Sequence, residues 1–303
     1  MSTPPVSDKR LAVLDKRLVR LHFERAAPGY EAASVFAREV GSRMVERLDL
    51  VKLQPAWILD AGSGTGQLAA ALAACYPHAR VACLDLSLAM LRAGVQRSGW
   101  GRRLLAAVRA TRCLPICGDV ERIPLASARV QLVCSNLVLP WVGRPEVALQ
   151  ECHRVLAPGG LLMFTTLGPD TLAELRAALG PSGAATIHPF ADMHDVGDLL
   201  VRSGFADPVM DAEHLTLTYR DLTALLAELH ASGGRSALSG RRPGLRGRAW
   251  RRGLEERYAA FRIDGRLPVT CEVVYGHAWK PQSQRVTADG RAVVRFERRT
   301  QGR

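Results

Sequence analysis

The sequence predicts an α/β fold with a mostly parallel, seven-stranded sheet and helices on both faces. Apolar runs that end in a polar residue alternate with amphipathic stretches over residues 57–166, and strands that alternate with helices form parallel sheets. Two further apolar runs, 205–210 and 269–278, are separated by two amphipathic stretches. These runs predict an antiparallel hairpin at the sheet edge, with a helical insertion between its strands.

Residues 1–20 are predicted to form a leader that runs into a helix. Apolar residues recur at helical spacing over residues 9–23, with basic residues between them. Asp8 and Asp15 are atypical of a mitochondrial presequence, so we interpret this stretch as a helix that lies across the fold. A second helix is predicted over residues 31–48.

A glycine-rich turn follows the first apolar run, which ends at Asp60. Gly62, Gly64 and Gly66 allow positive φ angles and let a ligand approach the backbone closely. The helix predicted over residues 67–75 would present unpaired N–H groups to an anionic ligand. The spacing differs from the G-x-G-x-x-G of dinucleotide-binding loops, and the alternative is a tight strand–helix turn that binds nothing.

The second strand, residues 80–84, ends at Asp85. A carboxylate in this place, about twenty residues past the loop, can accept hydrogen bonds from both ribose hydroxyls of a nucleoside. Ser87 is expected to cap the next helix. Leu86 and Met90 lie on either side of that cap, and they would pack either against an adenine ring or into the core.

Further polar residues come directly after the third and fourth strands. Asp119 and Val120 follow the third strand, and Asn136 ends the fourth. Because ligands bind at the carboxyl ends of parallel strands, we expect these residues to face the same site as Asp85. Asp119 taken alone is equally typical of a turn.

Three patterns together resemble the class I S-adenosylmethionine (SAM)-dependent methyltransferases. They are the acidic residue with alternate glycines at 60–66, Phe-[Asp/Glu]-Arg-Ala-Ala-x-x-Tyr at 23–30, and Val-Leu-x-Pro-Gly-Gly at 155–160. The resemblance implies a Rossmann-like class I methyltransferase fold with SAM as the cofactor, and an adenine amino group that donates to Asp119. The cofactor-binding residues that it implies are Arg25, Asp60, Gly62, Gly64, Gly66, Asp85, Leu86, Met90, Asp119, Val120 and Asn136.

Later motifs are similar to the malonyl-acyl carrier protein O-methyltransferases of biotin synthesis, the BioC family. The similar segments are 165–176, 193–198, 204–211, 215–219 and 261–280. This resemblance implies methyl esterification of the free carboxylate of malonyl-acyl carrier protein, with malonyl-CoA as a second acceptor. Departures from the family pattern are Ser63 in the glycine turn, and Pro140 and residues 233–236, which border the substrate side.

The resemblance and the pattern of elements divide the chain into five parts. An insertion between the last two strands, placed over the cofactor side, would act as a lid. The parts are the leader and helix at 1–20, the SAM-binding core at 21–214, the helical lid at 215–266, the last core strand at 267–280, and a basic tail at 281–303.

Arg176 is the predicted ligand of the substrate carboxylate. Thr171-x-x-Glu174 is a capping-box pattern, and a turn of about 100° per residue places Arg176 about 40° from Leu172, at the edge of an apolar stripe. An arginine there either snorkels or faces a polar cleft. A carboxylate is ionised at neutral pH and needs no general base, but it needs a cation to hold it. Tyr30 is predicted to roof the cofactor and substrate.

The chain is basic, with 41 Lys+Arg against 29 Asp+Glu and a formal net charge of +12. This excess favours acidic partners, although arginine-rich coding would produce it as well. Seven arginines and no acidic residue occur in residues 235–252. They form either a solvated loop or a rim that steers an acidic carrier protein. No aromatic residue lies between these arginines before Trp250, which disfavours nucleic acid.

Seven cysteines occur without a Cys-x-x-Cys pair, which predicts reduced thiols, a cytoplasmic location and no metal site. No apolar run reaches the length of about 18 residues that a membrane span needs. Two other functions stay open. One is another small-acid SAM methyltransferase, and the other is a methyltransferase-like assembly factor for a respiratory complex, which the basic helical leader favours.

Overall fold

The computed structural model describes residues 14–97, 112–184, 186–239 and 247–282. Most of the predicted leader and of the predicted tail therefore lies outside the described residues. The strands are β1 (Trp57–Ala61), β2 (Arg80–Asp85), β3 (Cys113–Cys117), β4 (Val130–Asn136), β5 (Leu156–Leu167), β6 (Ala206–Tyr219) and β7 (Leu267–Trp279). The helices are α1 (Lys16–Ala26), α2 (Tyr30–Ala33), α3 (Val35–Leu48), α4 (Gln67–Cys75), α5 (Leu88–Arg97), α6 (Pro145–Val155), α7 (Ala173–Ala184), α8 (Met193–Arg202), α9 (Leu222–Ala231) and α10 (Arg248–Ala259).

The strands form one seven-stranded sheet in the order β3-β2-β1-β4-β5-β7-β6. Strands β1 to β5 pair in parallel, and β7 runs antiparallel to both β5 and β6. The central strands are buried on both faces. Ile58 belongs to one apolar cluster and Leu59 to the other, because successive side chains of a strand point to opposite faces. The predicted parallel sheet with an antiparallel edge hairpin is confirmed.

The predicted helix over residues 31–48 is interrupted at Ser34. Helix α2 ends at Ala33, and Ser34 has φ −92° and ψ 31° before α3 begins. Its hydroxyl accepts a hydrogen bond from Gln67 Nε2 at 3.0 Å. Serine hydroxyls make such polar contacts outside the helix ladder, which favours a break in the helix.

Strand β6 runs through Tyr219, five residues beyond the predicted end of the core at 214. Its last five residues continue the register with β7, from Leu215 opposite Cys271 to Tyr219 opposite Leu267. The helical insertion therefore starts later than the sequence indicates, because the hairpin is longer.

The lid helices α9 and α10 pack with α7 over one end of the hairpin. Their apolar side chains form a third cluster, which includes Leu225, Leu254 and Tyr258. Tyr258 is fully buried, and its hydroxyl donates to the carbonyl of Pro268 on β7 at 2.7 Å. The insertion thus has its own core, which anchors it to the end of the sheet.

Gly276 is expected to be essential for packing in the middle of the sheet. It lies opposite Phe164 on β5 and Met210 on β6, and a Cβ there would lie 2.4 Å from Phe164 Cζ and 2.9 Å from Met210 Sδ. Gly276→Ala should lower the free energy of unfolding by about 1–3 kcal/mol, because overpacking displaces neighbouring side chains. Urea denaturation measures the change.

Gly197→Ala is the matched control, because it also places a methyl group beside Met210. A Cβ at Gly197 would lie at an ordinary 3.8 Å from Met210 Cγ. Helix propensity should then raise stability by about 0.5–1 kcal/mol. Equal effects of the two substitutions would contradict the packing argument.

Candidate active site

A cavity of about 1010 Å³ opens beyond the carboxyl ends of β1, β2 and β4. Helices α1 to α3 cover one side of it, and the lid helices α9 and α10 cover another. The cavity therefore lies where ligands enter parallel sheets. Its size is at the upper end of the range of about 300–1,000 Å³ that is usual for small-molecule sites.

The glycine turn forms the floor of the cavity. Gly62, Gly64 and Gly66 have φ angles of 82°, 55° and 79°, a region that other residues rarely adopt. A Cβ at Gly62 would lie 2.2 Å from Val138 Cγ2. Glycine is therefore required at Gly62 both for its backbone angle and for its close approach to the segment after β4.

Asp85 holds this turn from the end of β2. Its carboxylate accepts hydrogen bonds from the N–H of Gly64 at 2.8 Å and of Ser87 at 2.7 Å. Burial raises the pKa of Asp85. Tyr30 lies above the turn, and burial, together with the nearby carboxylate of Asp85, raises the pKa of its hydroxyl to about 12.

Asp60 places a buried carboxyl group in the cavity wall. It is 1% exposed, and neither of its oxygens has a hydrogen-bond partner among the described residues. Burial raises its pKa to about 7, although the nearby Ser63 hydroxyl and Ala69 N–H, both outside good hydrogen-bond geometry, partly oppose the rise. A buried carboxylate is stable only when it is paired, so this group fits a ligand that carries positive charge.

A set of polar contacts fastens α2 to the glycine turn. The carboxylate of Glu31 accepts hydrogen bonds from the hydroxyl of Thr65 and, at 2.6 Å, from Gln67 Nε2. Gln67 also donates to Ser34 at 3.0 Å. The N-terminal segment is thereby held over the floor of the cavity, with Tyr30 in the roof.

Lys16 connects the N-terminal helix to the loop after β3. Its ammonium lies 2.5 Å from Asp119 Oδ2 and 2.8 Å from Glu121 Oε2. Glu121 also accepts from Arg144 Nε at 2.8 Å. Burial alone would raise the pKa of Glu121, but hydrogen bonds from Lys16 and Arg144 lower it overall. Lys16 thus orients the carboxylate of Asp119, which the resemblance predicts to accept a hydrogen bond from the adenine amino group.

Asn136 is engaged by the protein on both sides of its amide. Its Nδ2 donates to the carbonyl of Ala37 and its Oδ1 accepts from the hydroxyl of Thr165, both at 2.7 Å. The next residue, Leu137, has a φ of 57°, which is a strained conformation for a leucine. Asn136 therefore joins α3 to the ends of β4 and β5 at the cavity wall.

Eleven of the thirteen predicted site residues line this one cavity, and two do not. Gly66 caps the start of α4 and lies outside the wall. Arg176 also lies outside it. The residues in the wall are Tyr30, Arg25, Asp60, Gly62, Gly64, Asp85, Leu86, Met90, Asp119, Val120 and Asn136.

Arg176, the predicted ligand of the substrate carboxylate, lies outside the cavity wall and is held by its own loop. Its guanidinium donates to the carbonyl of Thr171 at 3.0 Å. The capping box is also absent, because the Thr171 hydroxyl pairs with the backbone of Glu272, and Glu174 accepts from Thr270 on β7. Leu172 has a φ of 60° and is not helical, so the helical-wheel argument for Arg176 fails.

Several wall residues were not predicted from the sequence. Phe23, Trp141 and His188 stack edge to face, with ring centroids 5.3 Å and 4.9 Å apart. His188 Nε2 accepts from the N–H of Ala237 at 3.0 Å, so its Nδ1 carries the proton and donates to Pro140 O at 3.3 Å. Burial lowers the pKa of His188 and keeps the ring neutral. No local pattern indicated this row.

The described residues contain one group of three potential metal ligands, Asp170, His214 and Glu272. Their ligand atoms lie within 4.8 Å of one another, but none of the three lines the cavity. Glu272 already accepts a hydrogen bond from the N–H of Asp170 at 2.8 Å. That the protein has no metal site remains a prediction from the sequence. Within the described ranges, no helix is long and apolar enough to cross a lipid bilayer.

Comparisons with known proteins agree with this geometry. A family model described as a methyltransferase domain matches residues 59–164. The chain is 50% identical to a malonyl-[acyl-carrier protein] O-methyltransferase of Gallionella capsiferriformans, over 93% of this chain and 97% of that protein. It is also 50% identical to one of Laribacter hongkongensis, over 93% and 96%.

A solved structure shows the same fold at low identity. It is a phosphoethanolamine N-methyltransferase of Haemonchus contortus in complex with S-adenosylhomocysteine. The TM-score is 0.55 at 15% identity, over 87% of this chain and 60% of that one. This likeness supports the fold class that the sequence predicts.

Lys16→Met is expected to weaken SAM binding by about threefold to tenfold, because loss of one charge-assisted contact leaves the Asp119 carboxylate held, among the described residues, by the N–H of Glu121 at 2.9 Å. Isothermal titration measures the Kd. Arg17→Met is the matched control, since Arg17 is the exposed neighbour on the same helix. An unchanged Kd for Lys16→Met, or an equal loss for Arg17→Met, would contradict a positioning role for Lys16.

Proposed function

Because the chain belongs to the malonyl-[acyl-carrier protein] O-methyltransferase family, we propose that it esterifies the free carboxylate of malonyl-acyl carrier protein. The observation that carries this proposal is the identity of about half of the residues to such enzymes over nearly the whole chain. The methyl donor is SAM. The cavity has a polar end, with carboxylates beside the glycine turn, and is covered by the helices of the insertion between the last two strands, an arrangement that suits this reaction.

The residues at the polar end fit SAM. The glycine turn exposes backbone to a ligand, and Asp85 lies at the end of β2, where a ribose can be bound. The buried carboxyl group of Asp60 suits the positive charge of the cofactor. In this proposal Asp119 accepts the adenine amino group, and Leu86 and Met90 pack against the ring.

SAM supplies a methyl group bound to a positively charged sulfur. A malonyl carboxylate is ionised at neutral pH, so the protein needs no general base. Its task is to align the carboxylate oxygen with the methyl group and to exclude water. Tyr30, Phe23 and Trp141 line the cavity between the cofactor floor and the lid. In this proposal these three side chains exclude water from the site, and Tyr30 covers the cofactor and the substrate.

An acidic carrier protein would meet a basic rim at the lid. Arg248, Arg251 and Arg252 are exposed on α10, and Trp250 of the same helix lines the cavity. Complementary charge steers such partners and raises the rate of association. Malonyl-CoA carries the same acyl group and is a second, slower acceptor in this proposal. All seven cysteines are free, which supports a cytoplasmic location.

Transfer of label from methyl-labelled SAM tests the proposed function. Malonyl-acyl carrier protein is expected to gain a base-labile methyl ester, and malonyl-CoA a smaller amount. Acetyl-acyl carrier protein is the matched control, because it lacks the free carboxylate. Free malonate and RNA complete the set. Label on no acceptor, or on RNA alone, would overturn the proposal.

The affinity for SAM is expected to rise with pH up to about 7. Burial raises the pKa of Asp60 to about 7. In the protein without ligand, its carboxyl group is therefore neutral below this pH and negative above it. A cationic ligand binds the negative form, and its Kd should fall by about tenfold per pH unit below the pKa and level off above it.

Asp60→Asn should bind SAM weakly and lose this dependence. The amino group of SAM also titrates, but it does so in the experiments with both proteins. A difference between the two pH profiles therefore reports on Asp60 alone. Isothermal titration from acidic to mildly alkaline pH provides the Kd values. Parallel pH profiles for the two proteins would show that Asp60 does not face the cofactor charge.

A further inference from the structure

The substrate carboxylate needs a positive partner, and the cavity wall offers four Lys or Arg side chains among the described residues. They are Lys16, Arg25, Arg38 and Arg235. Lys16 is already paired with Asp119 and Glu121. The other three guanidinium groups form no hydrogen bond or ion pair with the described residues. One of these three has neighbours that also suit a carboxylate.

Arg235 belongs to a lid segment, residues 233–237, that lies directly across the end of β4. A Cβ at Gly233 would meet the ring of Phe23 at 2.8 Å, and Phe23 stacks on Trp141 just after β4. The N–H of Ala237 donates to His188, which stacks on the other side of Trp141. The segment therefore packs against the part of the cavity wall that Phe23, Trp141 and His188 form.

Two residues near Arg235 would be stabilised by a bound anion. The hydroxyl of Ser236 is buried in the cavity wall without a hydrogen-bond partner among the described residues. His230, also in the wall, has its pKa lowered by burial and by the positive charge of Arg235. Arg235 is exposed and Ser236 follows it directly in the chain, and a guanidinium and a hydroxyl can each donate to one oxygen of the same carboxylate.

We propose that Arg235, assisted by the hydroxyl of Ser236, binds the free carboxylate of the malonyl group during methyl transfer. This inference rests on the proposed function and assigns the substrate carboxylate to a residue other than Arg176, which does not line the cavity. One carboxylate oxygen provides the electron pair of the new O–CH₃ bond, and the pair of the S–CH₃ bond stays on sulfur. No proton moves. The ester product is neutral, loses its attraction to Arg235 and is released.

Arg235→Gln is expected to lower kcat/KM for malonyl-acyl carrier protein by about tenfold to a hundredfold, the range for a lost hydrogen bond to a charged group. The Kd for SAM should stay within about twofold of the wild-type value, and Arg235→Lys should recover part of the activity because it keeps the charge. Ser236→Ala should cost about threefold to tenfold. Arg38→Gln removes another unpaired arginine of the same wall and should leave kcat/KM unchanged.

The titration of His230 gives a second readout, by NMR in the complex with S-adenosylhomocysteine. Malonyl-CoA should raise the pKa of His230 in the wild type, because the bound carboxylate offsets the charge of Arg235. Acetyl-CoA, which has no free carboxylate, should not raise it. Thermal melting shows whether a variant has failed to fold. If it has, the titration of His230 in the wild type tests the proposal by itself.

The failures of the two proposals are distinguishable. A wild-type protein that transfers no methyl group to malonyl-acyl carrier protein would overturn the proposed function. An active wild type with full activity in Arg235→Gln, or with an equal loss in Arg38→Gln, would overturn the role of Arg235 alone. A pKa of His230 that does not change when malonyl-CoA binds would also overturn the role of Arg235.

Discussion

The cavity depends on hydrogen bonds that hold the glycine turn, which follows β1, against the end of the neighbouring strand β2. Gly62 and Ser63 both donate to the carbonyl of Leu84 at 2.8 Å, and Gly64 donates to the carboxylate of Asp85 at 2.8 Å. The turn can donate these hydrogen bonds only because its glycines adopt positive φ. One strand end thus shapes the floor, and Asp85 keeps unused lone pairs for a ligand.

Closure of the cavity brings together four segments that are far apart in the chain. The N–H of Asp15, at the start of α1, donates to the carbonyl of Ala237 in the lid at 2.8 Å. The N–H of Ala237 donates to His188, and His188 donates to Pro140 beside β4. Because Ala237 bonds to both Asp15 and His188, a movement of this segment also affects the N-terminal helix. Binding of the cofactor and of the substrate should therefore be coupled.

Charge is distributed to match the reaction. Asp60 is buried and Asp85 half-buried beside the floor of the cavity. Arg235, whose guanidinium has no hydrogen bond or ion pair with the described residues, lines the wall from the insertion between the last two strands. In the proposed reaction the positive donor and the negative acceptor would each meet a group of opposite charge, which would let them be held close together. Methyl transfer removes both charges, which weakens both attractions at once.

The sequence by itself determined the sheet, the glycine turn and the cofactor end of the site. Each strand, turn and cap is encoded within a few neighbouring residues, and parallel strands bring Asp60, Asp85 and Asp119 to the same edge. The lid side could not be predicted in this way. The direction of Arg176 depended on a helix start at Leu172, but Thr171 pairs instead with Glu272, 101 residues away. Only the tertiary structure decided which cations reach the cavity, because packing between distant segments sets the direction of a long side chain.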